Sequence, residues 1–231
     1  MKTYHDLWQS DGHAVARYYQ EKLIAEGIGS ARSLAERNDE KDWRFFAALF
    51  ADITIPNPLS ILDVGCGRAD VLSYLSTAHP HVVVTDYVGI DLVAAYIAFD
   101  QTMYPHYTFI HDNFITTTLP RQQTFDLVLA LGVFVSRVQH YELFIQQSVQ
   151  KMVDLSHGAV LFNCITALTS SHQHYRAPEQ IGRITDIPME QLTNIVSTID
   201  DVTHSTMRTH HLFDDAQDTF VTLHVGPKHP S

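Results

Sequence analysis

The sequence predicts an α/β protein: a central, mostly parallel seven-stranded sheet flanked by helices, with an N-terminal helical segment ahead of it. Three observations carry this expectation. Residues 59–64 form a short apolar run of the kind a buried strand shows. Gly65 and Gly67 follow, a turn lacking Cβ atoms, through which backbone can approach a ligand closely. A helical pattern then starts at Ala69, with Val71, Leu72 and Leu75 on one face. Strand, glycine turn and helix N-terminus together define a nucleotide site at the carboxyl edge of a parallel sheet.

Ahead of that unit, residues 12–26 carry Val15, Tyr18, Tyr19, Leu23 and Ile24 at helical spacing. Gly27 to Ser30 breaks the pattern. Residues 42–53 form a second helical stretch, with Trp43, Phe46, Ala47, Leu49 and Phe50 apolar, and Ile55-Pro56-Asn57-Pro58 is a stiff connector. Residues 1–58 are therefore expected as an N-terminal helical segment, a lid over the ligand mouth or packing on the sheet edge, and 59–231 as the main domain.

Downstream, strands and helices alternate. Residues 69–77 read as a crossover helix, 87–91 as a second strand, 93–101 as a helix and 107–114 as a third strand running into a loop. The fourth strand is expected at 125–134 with its exit, a strong helix at 138–155 and a buried fifth strand at 158–165. A helix at 188–199 and two terminal strands at 201–212 and 219–225 complete the chain. No internal repeat, low-complexity tract or second domain is visible.

The residues of the glycine turn narrow the ligand. A dinucleotide fingerprint ends in glycine or alanine, whereas the run from Gly65 ends in Asp70. A carboxylate there repels a pyrophosphate and tolerates a cation. Ile61-Leu62-Asp63-Val64-Gly65-Cys66-Gly67 resembles motif I of class I S-adenosylmethionine-dependent methyltransferases, with Ala69 where many members carry a glycine. Gly89-Ile90-Asp91-Leu92-Val93 resembles their second motif. The resemblance extends over roughly 59–226, and it includes uncharacterised bacterial small-molecule methyltransferases. It implies a Rossmann-like class I fold and S-adenosyl-L-methionine as cofactor. It also implies a set of cofactor contacts: Asp63, Gly65, Cys66 and Gly67 at the turn, Asp91 and Leu92 at the ribose, Asp112, Asn113 and Phe114 around the adenine, and Leu131 and Gly132 near the methyl group. A carboxylate ending the second strand is also what a ribose needs, since it accepts from both hydroxyls.

Composition bounds the partners. The 231-residue chain carries a formal net charge of −11, and from Leu59 onward eight Lys and Arg face seventeen Asp and Glu. That balance argues against nucleic acid, which needs a basic footprint. No Asn/Asp-Pro-Pro-Tyr/Phe motif follows the fourth strand; Leu131-Gly132-Val133-Phe134 is apolar instead, which argues against methylation of nucleic acid base amines. The two cysteines fit no metal spacing, and the fifteen histidines are scattered without acidic or thiol partners, so no metal is expected. No apolar run reaches membrane-spanning length and no secretory leader is apparent, so the expectation is a cytoplasmic protein acting on a small molecule, its oligomeric state open.

The leading expectation is methyl transfer to a small-molecule acceptor. A non-catalytic protein binding S-adenosylmethionine or S-adenosylhomocysteine, or less favourably a nicotinamide oxidoreductase, stays open. Candidate acceptor-site residues are Tyr4 and Trp8 from the N-terminal segment, Phe134, and Asn163 near the expected end of the fifth strand. The polar loop after that strand contributes His172, His174 and Tyr175, groups able to bind or deprotonate an acceptor.

Overall fold

The computed structural model describes residues 2–34, 43–119, 123–169, 180–213 and 215–226. Its seven strands form one sheet in the order β3-β2-β1-β4-β5-β7-β6. They are β1 (Leu59–Val64), β2 (Val84–Asp91), β3 (Thr108–His111), β4 (Phe125–Ala130), β5 (Ser156–Leu168), β6 (Val202–Phe213) and β7 (Ala216–Val225). The first five run parallel, and β7 inserts antiparallel between β5 and β6. The chain leaves β1 in one direction and passes to the opposite side at β4. The crevice between the carboxyl ends of β1 and β4 is thus the switch point where such sheets bind ligands.

Helices cover both faces. On one side lie α1 (Tyr4–Glu26), α5 (Tyr141–Asp154) and α6 (Met189–Ser197), packing Trp8, Ile145, Val149, Met152 and Leu192 against Leu62, Val88 and Val160. On the other lie α2 (Trp43–Leu49), α3 (Asp70–Ala78) and α4 (Ala94–Met103), packing Leu49, Val71, Leu75 and Ile97 against Ile61, Tyr87 and Leu127. Alternation along β1 explains the division: Leu62 and Val64 face one layer, Ile61 and Leu59 the other.

The elements match the sequence expectations in kind and order, with differences at their ends. Helix α1 begins at Tyr4 rather than Gly12, because Thr3 and Asp6 form a capping box: the Thr3 hydroxyl accepts from Asp6 N at 3.2 Å and the Asp6 carboxylate from Thr3 N at 2.9 Å. Strand β5 continues to Leu168, three residues past its expected end, because β7 pairs with it as far as the Leu168–Ala216 pair. Residues 138–140 precede α5 as a loop, held by bonds to α1 described below.

At the amino end of β4, the Asp126 carboxylate accepts from both the backbone N and the hydroxyl of Ser60. The ring of His157 lies 3.0 Å from its other oxygen. Asp126 therefore ties β1, β4 and β5 together on the side remote from the crevice.

Candidate active site

The turn after β1 is built on backbone that disfavours side chains. Gly65 and Gly67 have φ of +70° and +55°, and Ala69 is left-handed at φ 51°, which accounts for the glycine that relatives of the motif carry there. A Cβ on Gly65 would lie 2.6 Å from Val133 Cγ2 and one on Gly67 2.8 Å from Leu34. The steric need for Gly65 thus arises first from the protein's own Val133, not from a bound cofactor.

Asp91, at the end of β2, closes this turn. Its Oδ2 accepts from Gly67 N at 3.0 Å and its Oδ1 from Val93 N at 2.8 Å. Burial raises its pKa, opposed by those amides and by His111. A carboxylate oxygen accepts more than one hydrogen bond, so both oxygens retain capacity for ribose hydroxyls.

Asp70 requires a correction. Its carboxylate pairs with the Arg68 guanidinium at 2.9 Å, and both side chains are nearly buried. The acid is therefore locally neutralised, and its preference for a cationic ligand is weaker than the bare sequence implies. Arg68 also donates to Ile28 O at 3.1 Å, tying the segment after α1 to the turn.

Beneath the turn lies a set of acids. The Tyr87 hydroxyl donates to Asp63 at 2.7 Å, and the Cys66 thiol lies 3.8 Å from Asp100 Oδ2. Asp100 is fully buried and its Oδ1 has no hydrogen-bond partner among the described residues. Burial pushes Asp63 up to about 7, against the Tyr87 bond, with Asp91 and Asp70 adding repulsion. Burial and the charges of Asp63 and Asp91 push Asp100 up to about 8.

The loop after β3 carries the next three candidates. Asp112 is exposed, and its Oδ1 accepts from Asn113 N at 2.7 Å. The Asn113 side-chain amide is also engaged within the protein: Nδ2 donates to Trp8 O at 3.1 Å and Oδ1 accepts from Ile115 N at 3.3 Å. Phe114 is buried, with the Lys151 ammonium 4.7 Å from its ring centroid. Lys151, on α5, also donates to the carbonyls of Phe114, Ile115 and Thr117. It thus fixes the loop from behind, a role no sequence spacing announces.

A cavity of about 330 Å³ opens at these carboxyl ends. All eleven residues expected around the cofactor line it: Asp63, Gly65, Cys66, Gly67, Asp91, Leu92, Asp112, Asn113, Phe114, Leu131 and Gly132. Trp8, Phe134 and Asn163 line it too. Tyr4 does not; it stacks on the outer side of Trp8 at 5.8 Å and meets His140 edge-on. Asn163 is engaged within the protein, accepting from Gly132 N at 2.8 Å and donating to Asp218 at 3.3 Å. It holds the Gly132 turn and sits mid-strand. His172, His174 and Tyr175 lie outside the described residues.

Helix α1 roofs the cavity, and its clamps were not visible in the sequence. Trp8 Nε1 donates to Gln139 O at 2.7 Å, while buried Asp11 accepts from Gln139 N at 2.7 Å and Nε2 at 2.9 Å. Gly12 packs so closely on Asn113 that a Cβ would come within 2.7 Å of Nδ2. Tyr19 adds a phenol to the lining from the same helix.

The residues fit S-adenosylmethionine. Carboxylates line the cavity, among the described residues no Lys, Arg or His does, and the glycine turn is bare of Cβ atoms. That arrangement suits a ligand bearing a sulfonium and an ammonium, and it opposes phosphates.

Comparison with known proteins agrees with the fold and the turn. Residues 61–155 match the family described as a methyltransferase domain. Among solved structures, magnesium protoporphyrin IX methyltransferase from Synechocystis PCC 6803, with S-adenosylhomocysteine bound, superposes with a TM-score of 0.61 at 12% identity. That match covers 94% of this chain and 100% of the other. The N-methyltransferase NodS from Bradyrhizobium japonicum WM9 gives 0.56 at 11% identity, covering 92% and 99%. The [4+2]-cyclase SpnF gives 0.62 at 11% identity, covering 95% and 96%. No curated protein sequence matches. The match to a methyltransferase domain thus lies on residues 61–155, and the architecture of the chain is the Rossmann-like class I methyltransferase fold. Domains of this class use S-adenosylmethionine. Among the described residues no helix is long and apolar enough to cross a membrane, and no cluster of His, Cys, Asp and Glu is arranged to hold a metal ion.

Proposed function

We propose that the protein transfers the methyl group of S-adenosylmethionine to a small-molecule acceptor inside the α1-roofed cavity. The observation that supports this best is the pairing of the glycine turn with Asp91, whose two oxygens span Gly67 N and Val93 N at the mouth of β1 and β2. Asp91 binds the ribose, and the Cβ-free turn admits the methionine part. Leu131 and Gly132, the latter held by Asn163, flank the methyl group.

The sulfonium supplies an activated methyl group, so the chain has to bind, orient and exclude water rather than generate a reagent. Trp8 and the Asp11–Gln139 clamp keep α1 over the cavity and exclude water. The enclosed volume and acidic lining favour a small acceptor over nucleic acid. The NodS and magnesium protoporphyrin IX enzymes, both methyltransferases by name, favour transfer. A cyclase on the same architecture means that the fold alone does not fix the reaction.

The test combines binding and turnover. Wild-type protein should bind S-adenosylmethionine by calorimetry, and with methyl-labelled cofactor it should form S-adenosylhomocysteine and a labelled product from a panel of hydroxyl- and amine-bearing small molecules. Binding without product across that panel would favour a non-catalytic binding protein, and absence of binding would refute the site.

A further inference from the structure

One end of the cavity is assembled from three segments far apart in sequence: α1, residues 133–136 after β4, and residues 182–185. Gly182, at φ +79°, runs against α1 so closely that a Cβ would lie 3.4 Å from Ala14 C and O. Ser136 and Ile184 form a β-bridge, and Thr185 N donates to Val135 O at 2.9 Å. The wall these contacts make is apolar, with Val15, Val133, Val135 and Ile184, except for Tyr19 and Ser136.

Those two polar side chains face each other. The Tyr19 phenol lies against the Ser136 side chain, and both line the cavity. Burial, with Tyr18 and Asp91 as neighbours, pushes the phenol well above its ordinary range. It therefore stays an O–H and does not act as a base. Ser136 is four residues beyond Gly132, the turn expected beside the methyl group.

We propose that Tyr19 and Ser136 are the polar pair that seats the acceptor, and that the acceptor is a small, largely apolar molecule presenting a hydroxyl or amine to them. This rests on the methyl-transfer reading above. A hydroxyl acceptor accepts from the Tyr19 O–H and donates its own hydrogen to Ser136 Oγ, and an amine donates N–H to the pair. The apolar wall accommodates the rest of the molecule. An anionic acceptor is disfavoured, because the nearest charged lining is carboxylate.

Matched probes test this without knowledge of the natural acceptor. Protein saturated with S-adenosylhomocysteine is titrated with p-cresol, p-xylene and p-toluate, which present a hydroxyl, a methyl and a carboxylate on the same ring. The expected result is binding of p-cresol at least about tenfold tighter than either of the others. In Tyr19→Phe and in Ser136→Ala the p-cresol preference over p-xylene should fall toward unity while S-adenosylhomocysteine affinity stays within about threefold of wild type. Equal or weaker binding of p-cresol, no binding of any probe, or a preference intact in both variants would overturn the inference. A large loss of S-adenosylhomocysteine affinity in the variants would also overturn it, making the pair a cofactor contact. Failure of wild-type protein to bind S-adenosylhomocysteine at all would remove the reading of the site on which the inference stands.

Discussion

The two halves of the cavity are held by different kinds of contact. The half under β1 and β2 is local: the donors to Asp91 are Gly67, 24 residues away, and Val93, two residues away. The half under α1 is long-range: Trp8 reaches Gln139 across 131 positions and Asp11 reaches it across 128. A glycine turn and a strand-ending acid sit within short runs of sequence, so their geometry follows from local rules. A clamp between an N-terminal helix and a loop before α5 exists only once the sheet has brought both ends of the chain together.

This contrast is sharpest at Gly65. With φ at +70° and Val133 where a Cβ would go, Gly65→Val should abolish cofactor binding, because either the turn or the residues after β4 must move. Circular dichroism should stay near wild type and hydrogen exchange in α1 should change little. Equal loosening of α1 would show that the two halves are not separable.

Cutting the long-range clamp should give a smaller and differently placed effect. Asp11→Ala removes the acceptor of Gln139 N and Nε2 in a part-buried contact, at a cost of roughly 0.5–1.5 kcal/mol. Hydrogen exchange should rise along α1, and cofactor affinity should fall by less than about tenfold. Unchanged exchange would mean that α1 is held by packing of Trp8 and its neighbours rather than by the clamp.

Lys151 belongs to the cofactor half yet acts from α5. Lys151→Met keeps much of the stem's packing and removes the charge-assisted bonds to the carbonyls of Phe114, Ile115 and Thr117. A loss of about 1–2 kcal/mol in global stability is expected by urea denaturation, together with weaker cofactor binding. If only stability falls, the 114–117 loop does not shape the adenine site.

The smallest effect concerns pH. Asp63 and Asp100 have folded pKa values raised above the unfolded carboxylate range, to about 7 and about 8. Their contribution to stability is full below pH ~4 and is lost as pH rises through those folded values. Asp100→Asn should therefore raise the melting temperature more at pH 8 than at pH 5. A variant whose profile parallels wild type would show that Asp100 titrates normally.

The same division explains what was legible in the sequence. The strand at 59–64, the turn and Asp91 are each signalled by neighbours a few residues away, and the lining of the cofactor half contains every residue the motifs suggested. The Thr3–Asp6 capping box was also local, and it is the signal that extends α1 back to Tyr4. Arg68, two residues from Asp70, lay within reach of a local reading too, but its ion pair depends on both side chains being buried together. Gln139, Lys151 and Tyr19 carried no signal, because an amide in a loop, or a lysine or a tyrosine on a helix, is ordinary until its partner in the fold is known. Tyr4 and Asn163 show the converse: both have suitable chemistry, but one stacks outside Trp8 and the other is occupied by Gly132 and Asp218.

The central claim, that Asp91 and the glycine turn form an S-adenosylmethionine site, is tested most directly by calorimetric titration of wild-type protein and Asp91→Ala with S-adenosylmethionine and with NAD. The expected result is saturable S-adenosylmethionine binding to wild type, no NAD binding, and a loss of roughly 2–3 kcal/mol in the variant, the size of charge-assisted bonds removed from a partly buried site. NAD binding in place of S-adenosylmethionine, or undiminished S-adenosylmethionine affinity in a folded Asp91→Ala protein, would contradict it.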